Sequence, residues 1–582
     1  MSVSITLSDK GQAAPTSTKK STLAWLGVCS GGSLTSPGPC YEFTSSAIVG
    51  ANIGYGPLTE GIAAGVRVSQ VKQIAVKVNG SVPGTKSAVA QTGTGPAITL
   101  TGTPYDTASP KLKITKGGPL GTSTFRLAMD GGTYGPTVDV PLTGNAQVTG
   151  TIDISALAWP QTGLTLILDA DVGAAITYTA IIGETTLQQF ITNANAAFLA
   201  GPSSGQIRLV QGRYIQAYST TSGSTSTLQV TVASTLDTVF GLSNVTATGS
   251  AATYVIPNTG ITATFTVGAY VLDEVYSWAT TEPTFATADL VTALTALQNS
   301  GLNFRDIVVL ASPVDGTDTR AFATQLATSM TAWRASTPKK FAMAMFNSSI
   351  GLTTAIATND TDVKVSMSGQ SDDYVAVSHG DCYAAGTEIS GSFRRPLSFA
   401  LGIRAAAYPI SSDPGNREQP QLEEISMVGP DGVTLARDEE TATVKMEDQG
   451  FTVCKSEFGA AYMVRGITRS SSPKFTYLAI LRMGLQLVRV FYVAGKRYEN
   501  ANRNLTPNGT IREADAKSIE KYIRDQILLN LADDISGSPI VTVDRAEIIG
   551  TTNNLKVSAD VQHLGYFFKV TLTAGVVDII VR

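Results

Sequence analysis

The 582-residue chain holds only two histidines, His379 and His563, and four cysteines, Cys29, Cys40, Cys382 and Cys454. Histidine is the side chain whose ordinary pKa suits proton transfer near neutral pH, so its scarcity removes most histidine-based catalysis and metal binding. The cysteines are scattered and form no CxxC pair, which argues against a zinc knuckle or a disulfide framework. Charge is scarce too: Asp, Glu, Lys and Arg make up 15% of the chain, against about 25% in an average globular protein. A net charge of −4 leaves no general basic footprint for nucleic acid. Disorder of the polyelectrolyte kind is excluded, because hydrophobic residues reach 43% and need burial. No apolar run reaches the roughly 18 residues of a membrane span; the nearest, 477–493, is interrupted by Arg482 and Arg489. The first twenty residues carry Asp9, Lys10, Lys19 and Lys20 without an apolar signal-peptide core, so the product is expected to stay where it is made.

Glycine (55 residues), threonine, serine and alanine take the place of charge. A low-charge surface on a chain of this length suits faces that meet other protein faces. The length corresponds to about three to five domains, and the pattern is multidomain α/β and α+β. Residues 1–20 read as an N-terminal arm, an alternating strand (Val3, Ile5, Leu7) that dissolves into GQAAPTSTKK. Residues 21–80 open an α/β core with strands at TLAWLGV and 74–78 and a helix near 58–66. Residues 81–266 are a Thr/Gly-rich, β-rich insertion of one or two domains, with one helix at 184–198 started by Thr185 or Thr186. Asp237 is the only charge between Tyr214 and Phe265.

The core resumes over 267–408. A helix at 289–300, a buried strand from Asp306, a helix at 319–335 capped by Asp318 and a strand at 341–346 form a right-handed crossover unit, with 374–377 as a further strand of the sheet. Residues 409–455 are an acid-rich hairpin excursion. Residues 456–572 form an α+β unit, with helices at 474–493 and 512–534 and then strands; 573–582 are a C-terminal arm whose strand (Val577, Ile579, Val581) is free to pair with a neighbour.

Little in the chain carries chemistry. Ser378, His379, Asp381 and Cys382 lie too close along one strand end to converge, because alternate side chains point to opposite faces. Gly201, Ser203 and Gly205 spell GxSxG but follow a helix, where the nucleophile elbow needs strand, turn, helix. Gly80–Ser87 lacks the spacing of a phosphate loop. Glu423, Glu424, Glu439 and Glu440 would be a metal site only if they converged; paired acids on a hairpin are ordinarily a solvated face. The reading is a protein without catalytic, cofactor or metal residues. One pattern stands out: Arg482, Arg489 and Lys496 recur every seven residues on an apolar helix with no acid between Lys474 and Arg497. They line one stripe, either the wet face of an amphipathic helix or a positive ridge for an acidic partner.

Three stretches together resemble the contractile tail sheath proteins of bacteriophages: YGPLTEGIAAGVRVSQVKQIAVKVNG at 55–80, the segment from DLVTALTALQNSG to KKFAMAM at 289–345, and the order helix, asparagine-rich loop, charged helix, closing strands over 475–582. They cover about a third of the chain. The resemblance implies a sheath-type core and a non-enzymatic structural subunit, polymerising with itself as stacked six-fold rings around an inner tail tube and contracting to drive that tube through the host envelope. It implies tube, baseplate and tail terminator proteins as partners, with no direct nucleic acid and no membrane insertion. Location would be the virion tail, assembled in the host bacterial cytoplasm. The arms would add strands to neighbouring subunits through Val3, Ile5, Leu7, Val577, Ile579 and Val581, and Arg482, Arg489 and Lys496 would face the tube. The insertion departs from the minimal pattern of the family and would face outward. The reading from another class is a receptor- or glycan-binding virion protein with the insertion as an adhesin-like module.

Overall fold

The computed structural model describes residues 21–563 apart from 35–37, 156, 172–173, 202–204, 211–212, 337–338, 350–355, 417–424, 427–436, 441, 458–459, 471–475, 499–504 and 549–554. Both arms, with Val3, Ile5, Leu7, Val577, Ile579 and Val581, lie outside the described residues. The chain divides into two units: the first is Met1–Gly84, Tyr105–Thr107 and Glu282–Arg582; the second is Thr85–Pro104 and Ala108–Thr281. The inserted unit therefore runs past 266, because strand Val275–Ser277 pairs with Ala90–Gln91 and with Lys111–Lys113.

The first unit is built on β1 (Leu23–Gly27), β2 (Cys40–Phe43), α1 (Pro57–Ser69), β3 (Gln73–Lys77), α2 (Thr287–Asn299), β4 (Asp306–Val309), α3 (Gly316–Ala335), β5 (Ala344–Asn347), α4 (Ile356–Ser366) and β6 (Val375–Ser378). The sheet order is β2-β3-β1-β4-β5-β6; β2 is antiparallel and the remaining strands are parallel. Runs such as LAWLG and DIVV lack polar alternation because both faces are covered. Leu23, Trp25, Val308 and Met345 face one core with α1; Ala24, Leu26, Ile307, Val309 and Phe346 face the other with α2 and α3.

Local signals explain most boundaries. Pro57 opens α1, where its missing N–H is no loss, and Gln70 closes it in the left-handed region. The cap of α3 is Asp315, whose carboxylate accepts from the Asp318 N–H at 2.9 Å. The expected cap Asp318 instead lies in the first turn, beside the positive end of the helix dipole. Two helices have no clear sequence signature, α4 and α5 (Leu397–Ala407). The second is buried along nearly its whole length, so no amphipathic period marks it. Before α5, β7 (Asp381–Ala385) and β8 (Ser392–Pro396) form a hairpin. Residues 417–424, 427–436 and 441 of the 409–455 excursion lie outside the described residues; Ile425–Ser426 adds a short strand to β7.

The first unit ends with α6 (Leu478–Lys496), α7 (Glu513–Leu531), β9 (Ile535–Val543) and β10 (Val557–His563). Ile519, Ile523 and Ile527 of α7 pack with Val541 and Val543 of the β9–β10 hairpin. The second unit has two cores. One wraps two small sheets around the helix Leu187–Ala200 through Phe190, Ala194 and Phe198; Thr186 caps that helix in a reciprocal pair with Gln189. The other joins a five-stranded and a three-stranded sheet over Phe125, Phe265 and Tyr276.

Trp25 fixes the layer spacing of the first unit. Its indole lies against Gly61 and Gly65 of α1 and Gly402 of α5, and a Cβ on Gly402 would stand 2.6 Å from the Trp25 ring and 2.9 Å from Val308. Neither neighbour can yield, since both are fully buried. Gly402→Ala should therefore destabilise the first unit by about 1–3 kcal/mol, read as a lower urea midpoint in tryptophan fluorescence, while Gly369→Ala, at a site open around its Cα, should report only backbone strain.

Candidate functional site

The seven-residue cation stripe of α6 turns inward. Arg482 is 2% exposed and its Nε meets Asp306 Oδ2 at 2.8 Å; its Nη2 also donates to Ser21 Oγ at 3.1 Å and to the Ala405 carbonyl at 2.9 Å. Arg489 Nη2 donates to the carbonyls of Phe304 (2.8 Å) and Phe341 (2.7 Å). Lys496 is half-buried, with Nζ 5.5 Å from the Tyr492 ring centre. The expectation that these three form an exposed ridge is corrected for Arg482, which its distant partner Asp306 draws into the core; Arg489 is part-exposed, with one guanidinium arm on main-chain carbonyls at the amino end of the sheet. By length and composition α6 would be long and apolar enough to cross a membrane, and 56% of that window is buried inside the protein.

His379 also finds distant partners. Its Nδ1 lies 2.5 Å from Ser348 Oγ, and its Nε2 lies 2.7 Å from Asp360 Oδ1. Arg437 Nε sits 3.3 Å from the same Asp360 oxygen and donates through Nη2 to Glu439 at 3.0 Å. This is the order nucleophile, imidazole, carboxylate at the carboxyl ends of β5 and β6, where open α/β sheets place ligands. Nevertheless Ser348, His379 and Asp360 are 0, 1 and 2% exposed. The amide N–H groups that would stabilise an oxyanion are committed, Ser348 to the Ser378 carbonyl and Ser349 to Thr319 Oγ1. Burial pushes the His379 pKa down. The group is a polar tie between β5, α4, β6 and the 437–454 segment, where the His379 N–H reaches the Thr452 carbonyl at 2.9 Å. Sequence reading missed it because Ser348 and Asp360 stand 31 and 19 residues away.

The neighbours of His379 have separate employment. Ser378 Oγ meets Asn347 Oδ1 at 2.8 Å, and Asp381 pairs with Arg394. Burial pushes the Cys382 thiol well above its ordinary value, so it is no thiolate nucleophile. Ser203, Glu423 and Glu424 lie outside the described residues. Glu439 accepts from Arg437 and from the Glu447 N–H, and among the described residues no three His, Cys, Asp or Glu side chains are placed to hold a metal.

Counting only the parallel strands, β3-β1-β4-β5-β6 has the order 2-1-3-4-5, whose switch point between β1 and β4 is the usual ligand crevice. Here that crevice is filled. Leu58 and Leu310 close on Gly27, and the Tyr105 carbonyl approaches Gly56, whose φ of +136° and lack of Cβ allow the contact. The Tyr105–Thr107 return is held by Asp106, which makes a bidentate pair with the buried Arg395, one arm at 2.7 Å from Nη2 to Oδ2. Thr107 Oγ1 donates to Glu282 Oε2 at 3.2 Å. Glu60 accepts the N–H groups of Thr387, Glu388 and Ile389 at 2.6, 3.2 and 3.1 Å. Three carboxylates thus surround one guanidinium. Burial, then repulsion from Asp106, pushes Glu282 up to about 7, and burial also raises Glu60.

Solved structures similar to this chain include contractile-sheath components. The anti-feeding prophage (AFP) baseplate matches at 13% identity and TM-score 0.35, covering 51% of this chain and 75% of that chain. The sheath complex of an extracellular contractile injection system (PVC) in its contracted state matches at 11% and 0.34, covering 48% and 74%. The contracted AFP helical sheath matches at 13% and 0.33, covering 51% and 77%. No protein-family model matches the chain, and no curated protein does. With TM-scores of this size, function is argued from the residues themselves.

Two outcomes follow from the buried charges. Arg482→Met leaves the Asp306 carboxylate buried and unpaired and should cost about 3–5 kcal/mol; adding Asp306→Asn should recover a large part, measured by urea denaturation. The raised Glu282 carboxyl takes up a proton on folding. Its contribution is full below its unfolded value of 4.5 and is lost as pH rises through about 7. Glu282→Gln should therefore melt increasingly above the parent as pH goes from 5 to 8, and a pH-independent difference in Tm would contradict this assignment.

Proposed function

We propose that the protein is a structural subunit of a contractile tail sheath that polymerises around a tail tube and shortens to drive the tube through a cell envelope. The observation that carries the reading is the placement of the three sequence stretches that resemble sheath proteins. Their described parts, 55–80, 289–345 and 475–563, all fall in the first unit, and the Thr/Gly-rich segment absent from the minimal pattern is segregated as the second. The sealed His379 tie and the filled switch-point crevice agree with a protein whose work is mechanical.

The subunits stack as six-fold rings and are linked by strand exchange. The β9–β10 hairpin supports this, because among the described residues two strands form that sheet, and the edge of a two-stranded sheet offers backbone N–H and C=O groups to a further strand. The N-terminal arm, through Val3, Ile5 and Leu7, and the C-terminal arm, through Val577, Ile579 and Val581, supply those strands in neighbouring copies. Partners are the tube, baseplate and terminator proteins of a virion tail assembled in the bacterial cytoplasm, and no chemistry on a substrate is required.

Negative-stain microscopy of the purified protein should show striated hollow cylinders. Deleting 573–582 should abolish them while the melting temperature of the monomer stays within about 1 °C of the parent, the outcome expected if these residues serve a neighbouring copy and not their own core. Replacing Thr85–Thr281 by a short Gly/Ser linker, with Arg395→Met to avoid an unpaired buried guanidinium, should leave cylinders intact. The adhesin-like reading would be favoured instead by a parent chain that forms no cylinders but binds a receptor or glycan, with that binding lost in the deletion variant.

A further inference from the structure

At the amino end of the sheet, cations from three distant parts of the chain crowd together. Arg489 reaches the carbonyls of Phe304 and Phe341, the residues next to Arg305 and Lys340. Lys340 Nζ donates to the Leu302 carbonyl at 2.7 Å and lies 5.1 Å from the Phe304 ring centre. Arg305 Nη1 donates to Ser21 Oγ at 2.9 Å, a hydroxyl it shares with Arg482. Against these four cations stand Asp306, engaged by Arg482, and Asp534, close enough to act on Arg305. Among the described residues no carboxylate pairs directly with Lys340 or Arg489. Like charges disturb each other accordingly: burial and Arg489 push Lys340 down to about 8, while burial and Arg482 push Arg305 down to about 10.

Between Arg482 and Arg489 on the same face of α6 lies Gln486. It is 2% exposed, and among the described residues neither its Nε2 nor its Oε1 has a hydrogen-bond partner; Arg489 Nε and Asp306 Oδ1 are likewise buried without one. A buried primary amide left wholly unpartnered costs about 1–3 kcal/mol, which is a poor use of a core position unless something completes it. We propose that Arg489, Lys340 and Gln486, with Arg305 at the rim, form a binding site for a small phosphate-type oxyanion. The donors on offer are the Arg489 Nε–H, the Gln486 amide about one turn before it on the same face of α6, and the remaining ammonium protons of Lys340, which is close enough to Arg489 for the two charges to act on each other. Such an array suits an anion with three or four acceptor oxygens better than a carboxylate with two. Arg305 and Arg489 are part-exposed and give access. Lys340 and Gln486, at 4% and 2% exposure, lie too deep for the backbone of a nucleic acid. The site does not depend on the sheath reading and survives its failure.

The test uses the full chain with inorganic phosphate as probe, against sodium chloride at equal ionic strength. Phosphate at about 10 mM should raise the melting temperature by about 2–4 °C in a saturable way, with sulfate acting similarly. Gln486→Leu should raise the baseline in chloride, since it removes the unpartnered amide, yet weaken phosphate binding at least tenfold by titration calorimetry. Lys340→Met should weaken it comparably and leaves α6 untouched. Saturable stabilisation that persists unchanged in both variants would overturn the assignment, as would the absence of any phosphate-specific shift. In either case the cluster would be a structural tie alone.

Discussion

A carboxylate at the start of a buried strand has to be neutralised, and in this protein one ion pair meets that demand for the whole amino end of the sheet. Asp306 opens β4, and Arg482 answers it from α6 while also holding Ser21 ahead of β1 and the last carbonyls of α5. Three chain segments therefore converge on one guanidinium from a fourth. Because a desolvated charge tolerates no misplacement of its partner, the pair fixes where α6 lies along the sheet. The α7 helix and the β9–β10 hairpin then pack through the Met483, Val490 and Phe491 side of α6.

The opposite end of the sheet is closed by a comparable device. A chain that inserts nearly two hundred residues between two strands of one sheet must anchor the points where it leaves and returns. Asp106 and Glu282 supply those anchors on Arg395, and Glu60 fastens the 387–389 turn beside them. The three-residue return at Tyr105–Thr107 is unusual, since it covers the crevice between β1 and β4 with main chain. A fold whose open form would present a ligand cleft is thereby converted into a solid block. The same economy appears at His379, where a constellation familiar from hydrolases is spent on cross-linking two strand ends to a covering segment.

These features give physical meaning to the low overall charge. Much of the charge in the first unit is internal: Arg395, Arg437, Arg482, Asp106, Asp306, Asp360 and Asp381 are all buried and paired. Charge used this way cannot serve as a docking pattern, and Arg482, the first cation of the seven-residue stripe, is such a charge.

Much of the scaffold was legible in the sequence. Unalternated apolar runs marked β1, β4 and β6 to within one or two residues, and period-3.6 stripes marked α1, α2, α3 and α6, because the cause of each element is local: burial on two faces or on one. The composition change over 81–266 carries no sign of the pairing of Val275–Ser277 with Lys111–Lys113, a long-range event that takes the second unit to Thr281. The fully buried α5 and the polar α4 carried no usable period. Which side chains meet was not legible at all. The direction of Arg482 and Arg489, the Ser348–His379–Asp360 tie and the carboxylates around Arg395 join residues 19 to 461 positions apart. Short-range periodicity tells which face of an element is covered, and by itself the sequence determined that much; what covers it, and whether a charge found there is a surface or a strut, was decided only when the tertiary fold forced each desolvated charge to find its counterpart.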